Sequence, residues 1–141
     1  NWCISVSHTG NNNPRPNKDL HLWDCEGDKK KNQLWFWKYG NQLANKASPH
    51  LCISEKKPSS KALVLRDCDD HYYGNSFNKG LFERSGQLCM IDRYHRWEDN
   101  VCIESADYSP GQKTKLSLEE KDNTVKQKFA EYYYDNEVLE E

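Results

Sequence analysis

Long apolar runs are missing from this chain, and hydrophobic residues are scarce throughout it. They make up 35% of the 141 residues, against 30% for charged residues, and the chain contains one Met. No segment approaches the roughly 18 consecutive apolar residues of a membrane-spanning helix. We therefore expect no direct insertion into a membrane, and a small core that many short segments supply.

A large excess of one charge is also missing, and so are common catalytic motifs. The formal net charge is -2, which gives no electrostatic reason to expect a nucleic-acid partner. The sequence contains no G-x-S-x-G motif, no phosphate-binding loop and no H-E-x-x-H motif. We therefore expect a protein that is not an enzyme and that carries no cofactor.

The cysteines form no C-x-x-C pair, and their spacing is too wide and uneven for a structural zinc site. They are Cys3, Cys25, Cys52, Cys68, Cys89 and Cys102. An even number of widely spaced cysteines favours disulfide bonds in an oxidising, extracellular compartment, with reduced core thiols and a metal site as less favoured alternatives. Spacing alone predicts no particular pairing.

Four short motifs recur in the same order three times, with a period of about 50 residues. A Cys-Ile pair comes first, at residues 3–4, 52–53 and 102–103. A Leu-x-Leu motif with an acidic residue behind it comes next, at 20–24, 63–67 and 116–120. An amide residue two positions before an aromatic residue follows, at 33–35, 75–77 and 127–129. A Gly-led or Asn-led apolar segment closes each unit, at 40–43, 86–88 and 136–139.

Each motif is a short apolar alternation bounded by Gly, Pro, Asn or Ser, which is typical of strands and turns. Four motifs in each of three repeats predict twelve short strands. One repeat cannot bury its own apolar face, so the three repeats must share a core. We expect Trp35, Phe77 and Phe129 to meet near a pseudo-threefold axis. We also expect Gln33 to bond to neighbouring backbone, because an unpaired buried amide is costly.

The C-terminal segment allows a second interpretation. Val125, Phe129 and Tyr132 fall at helical spacing among Lys and Glu residues, so residues 119–141 taken alone could form an amphipathic helix. The register of the third repeat favours strands instead.

The quoted motifs carry a family resemblance. The order Cys3-Ile4, then Leu22-Trp23-Asp24-Cys25, then Asn32-Gln33-Leu34-Trp35 resembles the ricin B-type lectin family. The resemblance implies an all-β fold, a β-trefoil of three repeats with pseudo-threefold symmetry. It covers residues 1–141 as one domain, with repeats at 1–50, 51–100 and 101–141, and its motifs are fullest in repeat one.

The resemblance also implies disulfide bonds within repeats. It pairs Cys3 with Cys25 and Cys52 with Cys68, whereas Lys121 stands where the third repeat would have its second cysteine. Cys89 and Cys102 remain, in neighbouring strands of a hairpin. Such strands bring two cysteines within disulfide reach, so we predict a Cys89–Cys102 bond.

The resemblance implies a shallow pocket for galactose-like sugars in each repeat. The family places an Asp two residues after the first cysteine, an aromatic ring for the apolar face of the pyranose, and polar groups at the Asn-Gln pair. The Asp position holds Ser5, Ser54 and Glu104 in the three repeats. The ring position holds Trp23, Arg66 and Glu119. No repeat is complete, although repeat one keeps the ring and the amides.

The carbohydrate-binding candidates are therefore His21, Trp23, Asn32, Gln33, Glu104, Tyr108 and Gln127. Two of them have a purely structural alternative, because Gln33 and Gln127 are needed by the hairpins of any such trefoil. Trp23 has one also, as a partly packed surface residue.

Two aromatic-rich loops are candidates for a protein interface, since Trp, Tyr and Arg dominate binding hot spots. They are His71, Tyr72 and Tyr73 in one loop, and His95, Arg96 and Trp97 in the other. The predicted function is that of a secreted or cell-surface carbohydrate-binding module, for example an adhesin domain, with galactose or N-acetylgalactosamine as the expected type of ligand. The alternative is a non-lectin trefoil that binds a protein partner, as an adhesin, receptor or assembly domain.

Overall fold

The computed structural model of the chain is built almost entirely from short strands. It describes residues 2–6, 14–26, 31–57, 60–91, 101–107, 111 and 113–129, and the backbone of 138–140. The strands are β1 Trp2–Val6, β2 Leu20–Asp24, β3 Trp35–Lys38, β4 Gln42–Asn45, β5 Leu51–Glu55, β6 Leu63–Asp67, β7 Val101–Ser105, β8 Leu116–Glu120 and β9 Val138–Glu140. The helical elements are α1 Lys79–Ser85 and two 3-10 helices, Lys31–Gln33 and Val125–Gln127.

Three antiparallel strand pairs repeat one pairing register. β1 pairs with β2, β5 with β6, and β7 with β8. Ile4 lies opposite Leu22, Ile53 opposite Leu65, and Ile103 opposite Leu118. Because side chains alternate between the two faces of a strand, an equal register sends equivalent residues inward in all three pairs.

The three strand pairs are joined to one another in a ring. The Leu22 N–H donates to the Thr114 carbonyl over 2.9 Å, the Leu65 N–H to Lys18 over 3.1 Å, and the Leu118 N–H to Lys61 over 2.8 Å. Each donor is the second Leu of a Leu-x-Leu motif, so one bond is repeated by each pair. This threefold arrangement is the one that the trefoil prediction requires.

The shared core contains the three expected aromatic residues. Trp35 is 1% exposed, and Phe77 and Phe129 are 0% exposed, all in one apolar cluster with the Ile and Leu residues of the strand pairs. The Trp35 indole N–H donates to the Ile4 carbonyl over 3.1 Å, which satisfies the polar atom of a buried ring.

A five-stranded sheet extends from this core in the order β6-β5-β4-β3-β9. β9 runs parallel to β3 and pairs residues 138–140 with Trp35, Phe36 and Trp37. Strands therefore occur at both ends of the segment 119–141, in β8 and β9, and the alternative of one continuous helix there is wrong.

The prediction of a strand at every motif is wrong at 75–77 and 86–88 in repeat two and at 127–129 in repeat three, where the structure has isolated bridges or a 3-10 helix instead. Residues 79–85 form α1, and the segment after it makes isolated bridges from Gln87 and Met90 rather than a continuous strand. The Asn78 side chain accepts a bond from the Leu81 N–H over 3.0 Å and caps the helix. Gly86 ends it with a φ of 76°. An Asn cap and a Gly stop eight residues apart are the signals that could have predicted α1.

The disulfide bonds join the expected pairs of cysteines: Cys3–Cys25, Cys52–Cys68 and Cys89–Cys102. The first two tie equivalent strand pairs of repeats one and two. The third links the end of repeat two to β7 of repeat three. In the part of the chain that is described, no helix has the length and apolar character needed to cross a membrane.

Candidate functional site

The first polar feature near the predicted sugar pocket is the side chain of Gln33, and it is structural. Gln33 is 1% exposed at the end of a 3-10 helix. Its Nε2 donates to the Asp24 carbonyl over 2.8 Å, and its Oε1 accepts from the Glu26 N–H over 2.9 Å. Both bonds hold the chain that leaves β2, so a sugar cannot reach this amide.

Gln127 makes the same contacts in repeat three. Its Nε2 donates to the Glu120 carbonyl over 2.8 Å, and its Oε1 accepts from the Asp122 N–H over 2.9 Å. The residue is 0% exposed. We assign both glutamines to the fold and not to sugar contact.

The outer face of repeat one carries two neighbouring rings. His21 and Trp23 alternate along β2 with the buried Leu20 and Leu22, so their side chains point away from the core. The two ring centroids are 5.7 Å apart, with 42° between the ring planes. Both side chains are half-buried, which leaves an aromatic surface that is held in place and still reachable.

Two polar residues of the family pattern occur in this repeat, and both are buried. Ser5 lies directly opposite His21 in the β1–β2 pair and is 3% exposed. Asn32 is 2% exposed, in the 3-10 helix that also holds Gln33. Ser5 replaces a carboxylate with a neutral hydroxyl, so this face lacks the negative charge that the family pattern would supply.

The outer face of repeat two is covered by its own arginine. The Arg66 guanidinium carbon lies 3.6 Å from the centroid of the Tyr73 ring, in a cation–π contact. Arg66 also donates to the carbonyls of Glu55 and Lys56. Ser54, at the Asp position, is 0% exposed and bonds to the Gly74 carbonyl over 3.1 Å. The position equivalent to Trp23 therefore holds an engaged cation, and the position of the Asp holds a buried hydroxyl.

The carboxylate of repeat three is held by its own neighbours. Glu104 Oε1 accepts from Gln127 Nε2 over 3.0 Å, and Glu104 Oε2 lies 3.7 Å from Lys126 Nζ. At the ring position, Glu119 accepts from Lys61 over 3.1 Å and from Ser117 over 2.8 Å. This face offers charged groups and no described aromatic ring.

The first aromatic-rich loop is partly engaged within the molecule. Tyr73 stacks on Arg66, and its ring lies 5.0 Å from that of Tyr72, which is 59% exposed. His71 is exposed. Four further candidates lie outside the described residues: Tyr108, His95, Arg96 and Trp97. Within the described ranges, no group of three His, Cys, Asp or Glu side chains could hold a metal ion.

One feature of the molecule was not predicted. A cavity of about 360 Å³ opens beside His21, with Leu20, Leu63 and Leu116 in its wall. Lys56, Lys113 and Lys115 also line it. The three lysines come from two different repeats, and their positions next to strand ends were the only signal in the sequence.

The threefold ring of strand pairs and the shared core define the class of the protein as a β-trefoil. A solved structure supports this class: the C-half of the earthworm R-type lectin, in complex with GalNAc, superposes with a TM-score of 0.62. The two sequences are 15% identical, and the match covers 90% of this chain and 93% of the lectin. No curated protein matches the sequence.

A comparison with models of protein families identifies the family within this fold class. The ricin-type β-trefoil lectin domain matches residues 1–129. The chain belongs to this family, and the resemblance noted in its repeats is confirmed. It is a carbohydrate-binding lectin module, and the alternative of a non-lectin trefoil that recognises protein is not favoured.

Proposed function

We propose that repeat one holds the carbohydrate site, with Trp23 as the stacking platform. A pyranose presents an apolar face that packs on an aromatic ring, and the half-buried Trp23 ring is open to such contact. His21, 5.7 Å away, is positioned to exchange hydrogen bonds with sugar hydroxyls. The observation that carries the proposal is the contrast with the equivalent positions, which hold the engaged Arg66 and Glu119.

The sugar we propose is of the galactose or N-acetylgalactosamine type. Two things support it: the family pattern at Trp23 and Asn32, and the GalNAc bound by the earthworm lectin that shares this fold. Ser5 replaces the family's carboxylate acceptor. Because charge-assisted hydrogen bonds are about twice as strong as neutral ones, we expect weaker binding of neutral sugars than a complete pocket would give.

We further propose that the domain works outside the cell, by binding and without catalysis. Three disulfide bonds in a chain of 141 residues suit an oxidising compartment. The lectin family supports recognition rather than chemistry.

The test is a glycan array with the oxidised domain, followed by titration calorimetry on the sugars that bind. Trp23→Ala should weaken binding by about tenfold or more, because it removes a central aromatic contact. Trp23→Phe should restore part of the affinity. The matched control is Tyr39→Ala, which removes an aromatic residue that is 72% exposed and lies in the β3–β4 turn rather than in the β1–β2 pair.

Unchanged binding in Trp23→Ala, with Tyr39→Ala equally unchanged, would move the site away from repeat one. If the folded protein bound no glycan on the array, that result would contradict carbohydrate binding itself.

A further inference from the structure

The cavity beside His21 lies on the pseudo-threefold axis. Leu20, Leu63 and Leu116 line it together. They are the first residues of β2, β6 and β8, so each repeat contributes the equivalent side chain. A space that three equivalent residues share must lie where the repeats meet. We call it the axial cavity.

The rim of the axial cavity is basic, although the chain as a whole is slightly acidic. Lys56, Lys113 and Lys115 line it, with Asp19 as the one carboxylate among the described lining residues. In the described part of the chain, none of the three ammonium groups forms an ion pair with a carboxylate. The net charge of the chain is -2. The positive charge is therefore local to this rim rather than a property of the whole surface.

The apolar wall of the cavity strengthens the attraction between these lysines and an anion. Leu20, Leu63 and Leu116 are 4%, 3% and 7% exposed. A charge that sits against such a wall is less well screened than one in open water, so its attraction for an opposite charge is larger. Three like charges around one opening also repel each other, and a bound anion would relieve that repulsion.

The axial cavity lies next to the proposed sugar platform. His21 lines the cavity, and its ring lies 5.7 Å from that of Trp23. Lys113 Nζ lies 6.0 Å from the Trp23 ring centroid. Backbone contacts fix this proximity: the Lys113 N–H donates to the Leu22 carbonyl over 2.8 Å, and His21 forms a bridge with Lys115.

The neutral Ser5 is also consistent with an anionic ligand in this region. A carboxylate at this position would face His21 and repel an anionic ligand. The neutral hydroxyl leaves the region between Trp23 and the lysines without that repulsion.

We propose that the axial cavity holds the sulfate or carboxylate group of an acidic glycan, whose pyranose ring stacks on Trp23. Lys113 and Lys115 contact the anionic group directly, and Lys56 adds to the field from repeat two. This inference rests on the proposed function, since Trp23 anchors the sugar. The preferred ligand is then a galactose-type sugar that carries a sulfate or carboxylate group.

The test compares galactose, galactose 6-sulfate and galacturonic acid by titration calorimetry, with inorganic sulfate as the free anion. We expect the acidic sugars to bind about tenfold more tightly than galactose, because a charged hydrogen bond contributes more than a neutral one. Raising the salt concentration should reduce this preference. The double variant Lys113→Gln/Lys115→Gln should remove the preference and should lower the affinity for galactose far less than Trp23→Ala does.

The matched control is Lys46→Gln/Lys121→Gln, which removes two exposed lysines that do not line the cavity. It should keep the preference. Both double variants change the net charge equally, so a loss confined to the first pair assigns the effect to position rather than to total charge.

Three results would overturn the inference while the proposed function stood: equal affinity for neutral and acidic sugars, an unchanged preference in Lys113→Gln/Lys115→Gln, or inorganic sulfate binding as tightly as the sulfated sugar. The proposed function would fail separately if Trp23→Ala left all sugar binding unchanged. If acidic sugars bound to Trp23→Ala with an affinity that still depended on Lys113 and Lys115, the ligand would occupy the axial cavity alone. The proposed stacking on Trp23 would then be wrong.

Discussion

Repeats one and three have the same interior and different surfaces. Gln33 and Gln127 bond to equivalent carbonyl and N–H groups at equal distances, 2.8 Å and 2.9 Å. On the outer faces, Trp23 of repeat one corresponds to Glu119 of repeat three. Trp23 offers a half-buried aromatic ring, whereas Glu119 is a carboxylate bonded to Lys61 and Ser117.

The outward and inward faces of these strands therefore vary independently. Side chains alternate along a strand, so a change at an outward position leaves the inward positions where they were. The core is therefore compatible with different outward-facing side chains, provided that these remain exposed to solvent. A binding site can be present in one repeat and absent in the next without cost to the fold.

The largest effect should come from the core, and it should be equal in the two repeats. Trp35→Ala and Phe129→Ala each remove a buried ring, and each should lower the free energy of unfolding by about 3–5 kcal/mol. Urea denaturation of the oxidised protein measures this. A loss at one position only would show that the interiors of the two repeats are not equivalent.

A smaller effect is expected at the buried amides. Gln33→Ala and Gln127→Ala each remove two hydrogen bonds from a buried side-chain amide to backbone carbonyl and N–H groups, and each should cost about 1–3 kcal/mol of unfolding free energy. Gln127 also bonds to Glu104 and Gln87, so its loss should be the larger of the two. The same denaturation experiment tests this, with the exposed Lys121→Ala as control. A larger cost for Gln33→Ala would contradict it.

The smallest effect is expected on the outer face of repeat three. Lys61 and Glu119 form an ion pair in which the Lys61 side chain is 73% exposed. Exposed pairs contribute about 0–1 kcal/mol, so Lys61→Ala should change the unfolding free energy little. Thermal denaturation at low and high salt measures this. A cost comparable to that of Gln127→Ala would mean that outer and inner faces are coupled after all.

The recurrent motifs were enough to predict the threefold core because each encodes its own inward face. Trp35, Phe77 and Phe129 were assigned to the core from spacing alone. They are its largest fully buried side chains. The disulfide bonds followed from the resemblance and from strand adjacency. α1 was missed because the repeat register was followed at residues 79–85, where the local capping signals of Asn78 and Gly86 decide the structure.

The candidate site was predictable only in part. His21 and Trp23 could be placed together because they alternate on one strand. The engagement of Glu104 by Lys126 and Gln127 could not, since it depends on side-chain positions across the β7–β8 pair and the following turn. The same holds for Arg66 on Tyr73, which joins a strand to a loop.

The family, the threefold repeat and the residues of the core follow from local features of the chain, namely the alternation of apolar residues and the spacing of motifs. The axial cavity exists only in the folded protein. Lys56 and Lys113 are distant in the sequence and become neighbours only when the three strand pairs close into a ring. Closure of the ring places equivalent ends of the strands around one axis. The net charge at that axis therefore depends on which residues the three repeats bring together, and not on any single repeat.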